Sequence, residues 1–149
     1  MKILFDTNIV LDVLQAREPH VHLSASLLDQ VVAGRLSGLL CATTVTTIAY
    51  LTERHFIQHQ GKSARQARIE SRAAIKTLLN IFDIAPVTRA VIDKAASGLF
   101  EDFEDAVLHE SAAACGADGI VTRNPGDYTN ATLRIYTPPD LTAVLAKAG

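Results

Sequence analysis

Five short apolar runs alternate with longer segments whose apolar residues recur at helical spacing. The runs cover 2–5, 39–42, 82–85, 119–121 and 133–135, and Gly, Pro, Asn or Asp flank them. Each is too short for a helix and apolar enough to be buried on both faces, which is the signature of an interior strand. The intervening segments predict helices near 9–16, 20–34, 44–60, 63–80, 88–99, 103–115 and 139–148. Ser63, Thr88, Asp102 and Asp140 are N-cap candidates, and Gly34, Gly61 and Gly116 mark helix ends. Alternation of this kind builds a mostly parallel sheet covered on both sides. The expected fold class is α/β, a three-layer α/β/α sandwich around a roughly five-stranded sheet. No linker, repeat or low-complexity tract interrupts the 149 residues, so one domain over 1–149 is expected.

Composition narrows the partners. The net charge of -2 rules out a polycation, so nucleic acid binding would need a local basic patch or a metal. Cys41 and Cys115 stand singly among apolar residues, without C-x-x-C spacing, and read as small interior residues of a reducing compartment. Asp6 and Asp12 break the first apolar region, so it does not read as a signal peptide. The stretch from Leu39 to Leu51 carries four threonines and is too short to span a bilayer. The expectation is a soluble, cytoplasmic protein with no membrane partner.

The chemistry lies in acids placed near strand ends, where open α/β sheets gather their ligands. Asp6 ends the first run and opens Asp6-Thr7-Asn8. Asp127 closes Thr122-Arg-Asn-Pro-Gly-Asp127, directly after the fourth run. Glu53 sits at the edge of the apolar stripe Val45, Ile48, Ala49, Thr52 and Phe56 on the third helix. Glu101, Asp102, Glu104 and Asp105 open the sixth helix. Each has a plain alternative. Asp6 could cap the next helix, Glu53 could pair with Arg54 at a rim, and the acids of the sixth helix suit its dipole. Asp102 is best read as a cap. Together, carboxylates drawn from distant segments repel unless a cation sits between them, which points to metal-dependent phosphate chemistry.

Other metal and nucleophile sites lack their motifs. His20 and His22, and His55 and His59, have no Cys or Glu partners at zinc-site spacing. No G-x-x-x-x-G-K or G-x-S-x-G is present. An aspartyl-phosphate phosphatase needs an acid two residues after its nucleophile, where this chain has Asn8. A receiver domain needs an early acidic pair and a late lysine, and neither is visible.

The joint pattern resembles the PIN domain, a family of metal-dependent ribonucleases, over nearly the whole chain. The likeness rests on Ile3-Leu-Phe-Asp6-Thr-Asn8, Tyr50-Leu-Thr-Glu53, Asp102-Phe-Glu-Asp105-Ala106, and the run from Gly116 to Tyr128. Tyr136-Thr-Pro-Pro-Asp-Leu141 is similar to a bacterial branch rich in VapC-like toxins of type II toxin–antitoxin pairs. The resemblance implies Asp6, Glu53, Asp105 and Asp127 as catalytic metal-site acids, with Thr7, Asn8 and Asn124 in support. It implies Mg²⁺ or Mn²⁺ as cofactor, and an RNA substrate cut to a 5′-phosphate and a 3′-hydroxyl. It also implies a cognate antitoxin and a homodimer. His109 and Glu110 depart from the small apolar residues expected at their positions. A maturation nuclease without antitoxin, and an inactive binding module, stay open as alternatives.

Positive charge is concentrated in Arg54, Lys62, Arg65, Arg68, Arg72 and Lys76, against a single acid, Glu70. The last four recur at helical spacing and can line one face, either as an RNA track or as a solvated surface.

Overall fold

The structure, a computed structural model, describes residues 1–148. Five parallel strands form one sheet: β1 (Lys2–Phe5), β2 (Ser37–Cys41), β3 (Asp83–Ala85), β4 (Gly119–Val121) and β5 (Arg134–Tyr136), in the order β3-β2-β1-β4-β5. The helices among the described residues are α1 (Thr7–Leu14), α2 (Val21–Val32), α3 (Ala42–Gln60), α4 (Ala64–Leu79), α5 (Arg89–Ser97), α6 (Phe103–Ala114) and α7 (Pro138–Ala148). A short 3₁₀ turn spans Pro125–Tyr128.

Alternating side chains on each strand serve two cores. Ile3, Phe5, Leu40 and Val121 face α1, α2, α3, α7 and the end of α4, where Leu27, Ile48, Leu78 and Leu141 meet them. Leu4, Leu39, Cys41 and Ile120 face the opposite way, onto Val91 and Ala95 of α5 and Ala106, Val107, Leu108 and Ala112 of α6. The result is the three-layer α/β/α sandwich. Both cysteines are free, Cys41 buried and Cys115 half-buried. No helix among the described residues is long and apolar enough to cross a membrane.

Element boundaries differ from the sequence expectation where pairing or capping outweighs apolar content. Ser37 and Gly38 extend β2 because they pair with Lys2 and Ile3, and Ala42 already belongs to α3. β5 lies one residue later than expected because Tyr136 pairs with Val121. Ser63, Thr88 and Asp102 cap their helices as expected. Asp140 does not; Thr137 takes that place. Pro138 suits the first helical position, and Thr137 and Asp140 bond reciprocally as a capping box. Gly34, Gly61 and Gly116 adopt the positive φ that ends a helix.

β1 is the switch point of the sheet, since the chain winds outward from it on both sides. Its carboxyl end and that of β4 lie side by side, with Phe5 paired to Val121. Gly119 permits the close approach that makes β4 and β5 neighbours: a Cβ there would stand 2.5 Å from the Arg134 carbonyl oxygen and 2.7 Å from the Tyr136 ring. Backbone cannot yield as a flexible side chain can, so Gly119→Ala should destabilise the protein by about 1–3 kcal/mol. Chemical denaturation measures it, and an unchanged midpoint would show that β5 can shift freely.

Candidate active site

Asp6 follows β1 with extended backbone and caps α1. Its Oδ1 accepts the Thr7 N–H at 2.6 Å. Its Oδ2 accepts from the Thr122 hydroxyl at 2.7 Å and from Asn8 Nδ2 at 3.1 Å. The capping role and a site role therefore coexist in one side chain. Thr122, wholly buried at the end of β4, also accepts from the Asn124 N–H at 3.0 Å. Asn8 Oδ1 accepts the Arg123 N–H at 3.3 Å. These bonds stitch the loops after β1 and β4 together around the Asp6 carboxylate. Behind them, buried Asp12 accepts from Ser24 Oγ at 3.0 Å and lies 3.1 Å from Arg123 Nε, at ion-pair distance but off a hydrogen-bond axis.

The second acid comes from α6. Asp102 caps that helix by accepting the Asp105 N–H at 3.1 Å, which sets Asp105 in the first turn. The Tyr128 hydroxyl donates to Asp105 Oδ1 at 3.3 Å. Tyr128 ends the turn that carries Asp127, so one phenol ties α6 to the loop after β4. His109 fixes that loop from beneath. Its Nε2 accepts the N–H groups of Thr132 and Leu133 at 3.0 and 3.3 Å, and its Nδ1 faces Glu110 at 3.1 Å. His109 thus satisfies loop backbone that an apolar side chain would leave bare, and Glu110 holds the His109 ring by its other nitrogen.

Asp6, Thr7, Asn8, Asp105, Asn124 and Asp127 line one open cavity of about 320 Å³, together with Asp102, Glu104, Arg17, Thr47 and Leu51. Burial raises the Asp6 pKa most strongly, the bonds from Thr122, Thr7 and Asn8 pull it down, and Asp127 adds repulsion; the net shift is upward. Asp105 is pushed up to about 6 by burial first and by Asp6 and Asp102 next. Burial and the same carboxylates hold the Tyr128 phenol well above its usual range, so it stays a donor.

These groups are all-oxygen donors with uncompensated negative charge, which suits a hard divalent cation. Among the described residues no three His, Cys, Asp or Glu side chains stand close enough to cage an ion by themselves. Any ion held here would therefore have to keep part of its water shell, as Mg²⁺ can.

Glu53 is not brought to this cavity. Thr47 and Leu51 show which face of α3 lines it, and Glu53 lies about 200° around the helix from Leu51. None of Arg54, Lys62, Arg65, Arg68, Arg72 and Lys76 lines the cavity either. Arg54 donates to the Tyr50 hydroxyl, and Lys62 pairs with Glu70 over the Phe56 ring. The other four cations stand exposed along α4. Thr122, Tyr128 and Arg17 belong to the cavity or its frame without having been singled out. Thr122 and Tyr128 bracket the Asp127 loop in sequence, whereas Arg17 carried no signal.

A family model described as PIN domain matches residues 2–125. No curated protein sequence matches the chain. Among solved structures, a chain of VapBC2 from Rickettsia felis, bound to a promoter DNA fragment, is similar at 13% identity and a TM-score of 0.67. The likeness covers 92% of this chain and 98% of that one. A chain of a toxin-antitoxin complex from Klebsiella pneumoniae is similar at 18% identity and a TM-score of 0.65, covering 91% and 97%.

The raised acid has a thermodynamic consequence in metal-free buffer. Between its ordinary 3.8 and about 6, Asp105 binds a proton in the folded state but not in the unfolded state. Stability therefore falls as pH rises through that window, and the penalty is complete above it. Asp105→Asn should stabilise the metal-free protein above pH 6 by about 1 kcal/mol, discounted for the solvent that reaches this half-buried group, and flatten the slope below. Thermal melts across pH with chelator measure this. A less stable variant would contradict the repulsion.

Proposed function

The chain belongs to the PIN domain family, and from that membership we propose that it is a divalent-metal-dependent endoribonuclease, the toxin of a toxin–antitoxin pair. One observation carries the reading: Asp6, Asp105 and Asp127, from three distant segments, converge at the switch point of the sheet without a paired lysine or arginine. A bound Mg²⁺ or Mn²⁺ would neutralise that charge, shield phosphate oxygens and acidify a water.

In this proposal Asp6 and Asp105 are the direct ligands. Asp6 is suited to the part because Thr7, Asn8 and Thr122 fix both of its oxygens. Tyr128 orients Asp105 in the same way. Asp127, on the exposed turn, holds a water or a second ion, and Asn124 lines the cavity beside it. Glu53 receives no part in the mechanism. The openness of the cavity leaves room for a polymer strand to cross it. The R. felis and K. pneumoniae complexes support an antitoxin as partner. Tyr50 and Ile57 on α3 and Ile69 on α4 leave exposed apolar surface that an antitoxin or a second copy would cover.

Purified protein should cleave RNA with Mg²⁺ or Mn²⁺ and stop on chelation. Asp6→Asn or Asp105→Asn should lower the rate at least about a hundredfold, and Thr122→Val roughly ten- to a hundredfold through the loosened Asp6 carboxylate. Cleavage undiminished in both Asp variants would remove the proposed centre.

A further inference from the structure

Arg17 lines the acid-rich cavity, yet among the described residues it forms no ion pair. A guanidinium that shares a cavity with Asp6, Asp105 and Asp127 would be drawn to any of them within its reach. It is held back. Its Nε donates to Gln15 Oε1 at 3.0 Å, and Gln15 Nε2 donates to the Leu51 carbonyl on α3 at 3.4 Å. Its backbone is fixed too, with the Arg17 N–H on the Asp12 carbonyl at 2.9 Å and the Val21 N–H on the Arg17 carbonyl at 2.8 Å. Only Nε is occupied, so both terminal nitrogens remain free. Arg17 is half-buried on the α1–α3 side of the opening. Its charge also reaches His55, whose pKa is lowered by burial, then His59, then Arg17.

A planar pair of free donors on a residue that lines a cavity suits a tetrahedral oxyanion, which it can hold bidentately. The acids opposite would repel a free anion, so the ligand must be anchored by more than one contact. A nucleic acid backbone provides this, because its phosphates recur along the strand. We propose that Arg17 is the phosphate-binding residue of this cavity, gripping an RNA backbone phosphate adjacent to the one that lies over the acids. The assignment rests on the nuclease reading for its choice of RNA. It replaces the α4 stripe as the positive element nearest the chemistry, since no stripe residue lines the cavity.

The test compares wild type, Arg17→Gln and Arg17→Lys, with melting temperatures checking that all three fold. Binding of a fluorescent single-stranded RNA is followed by anisotropy across salt, with Ca²⁺ in place of Mg²⁺ to suppress cleavage. Arg17→Gln should bind roughly tenfold more weakly and lower the salt slope by about one. Arg17→Lys should recover the slope but only part of the affinity, because a point charge lacks the fork. In cleavage with Mg²⁺, Arg17→Gln should raise KM more than it lowers kcat. Equal affinity and slope in wild type and Arg17→Gln would overturn the assignment. If wild type cleaves RNA and Arg17→Gln cleaves it identically, this inference fails and the nuclease reading stands. If wild type does not cleave but Arg17→Gln still loses binding, the nuclease reading fails and the phosphate grip stands.

Discussion

Mutual repulsion among carboxylates, enforced by a rigid frame, is the constraint on which this structure turns. Free in solution, Asp6, Asp105 and Asp127 would separate. The fold denies them that choice. Asp6 is clamped through both oxygens, Asp105 is set by the cap at Asp102 and steadied by Tyr128, and Asp127 rides a turn whose exit is pinned by His109. Burial and neighbouring charge raise the proton affinity of Asp6 and Asp105 together. Carboxylates whose ionised forms are disfavoured in this way gain from a cation, because the cation relieves repulsion that the apolar cores maintain.

The parallel sheet makes this possible. β1 and β4 are neighbours although more than a hundred residues separate them, and their ends deliver Asp6 and Thr122 within hydrogen-bond distance. The two cores hold that register from opposite faces, one through Ile3, Phe5 and Val121, the other through Leu4 and Ile120. A slip of one residue would turn each of these side chains to the wrong layer. Precision at the site is therefore inherited from packing several residues away, with Gly119 keeping the β4–β5 spacing narrow.

Much of this was legible in the sequence, because apolar runs and caps are local signals. The strands and helices fall within about two residues of where alternation placed them, with the Asp6 cap starting α1 earlier and ladder pairing extending β2 and moving β5. Asp6 and Asp127 were legible because each follows a buried run. Asp105 was separable from its acidic neighbours only through the family resemblance, and the structure supplies the physical reason in the Asp102 cap. Glu53 lies off the cavity. An acid at the edge of an apolar stripe can face either flank of its helix, and the phase was decided by how α3 meets α1 and α4. The α4 cations lie off the cavity, and helical spacing shows that they share a face, not what that face looks upon. Arg17 carried no signal because its place at the cavity arises only on folding, when Gln15 bonds both to it and to the Leu51 carbonyl of α3. His109 and Glu110 looked anomalous until the backbone N–H groups of Thr132 and Leu133 gave His109 its partners and Glu110 was found on the other ring nitrogen.

The central claim is that these carboxylates form one cation site. Anomalous scattering from a crystal grown in Mn²⁺ tests it most directly. The account predicts a peak between the Asp6 and Asp105 carboxylates, within coordination distance of both. A saturated crystal with no peak there, or with manganese bound only elsewhere, would contradict it.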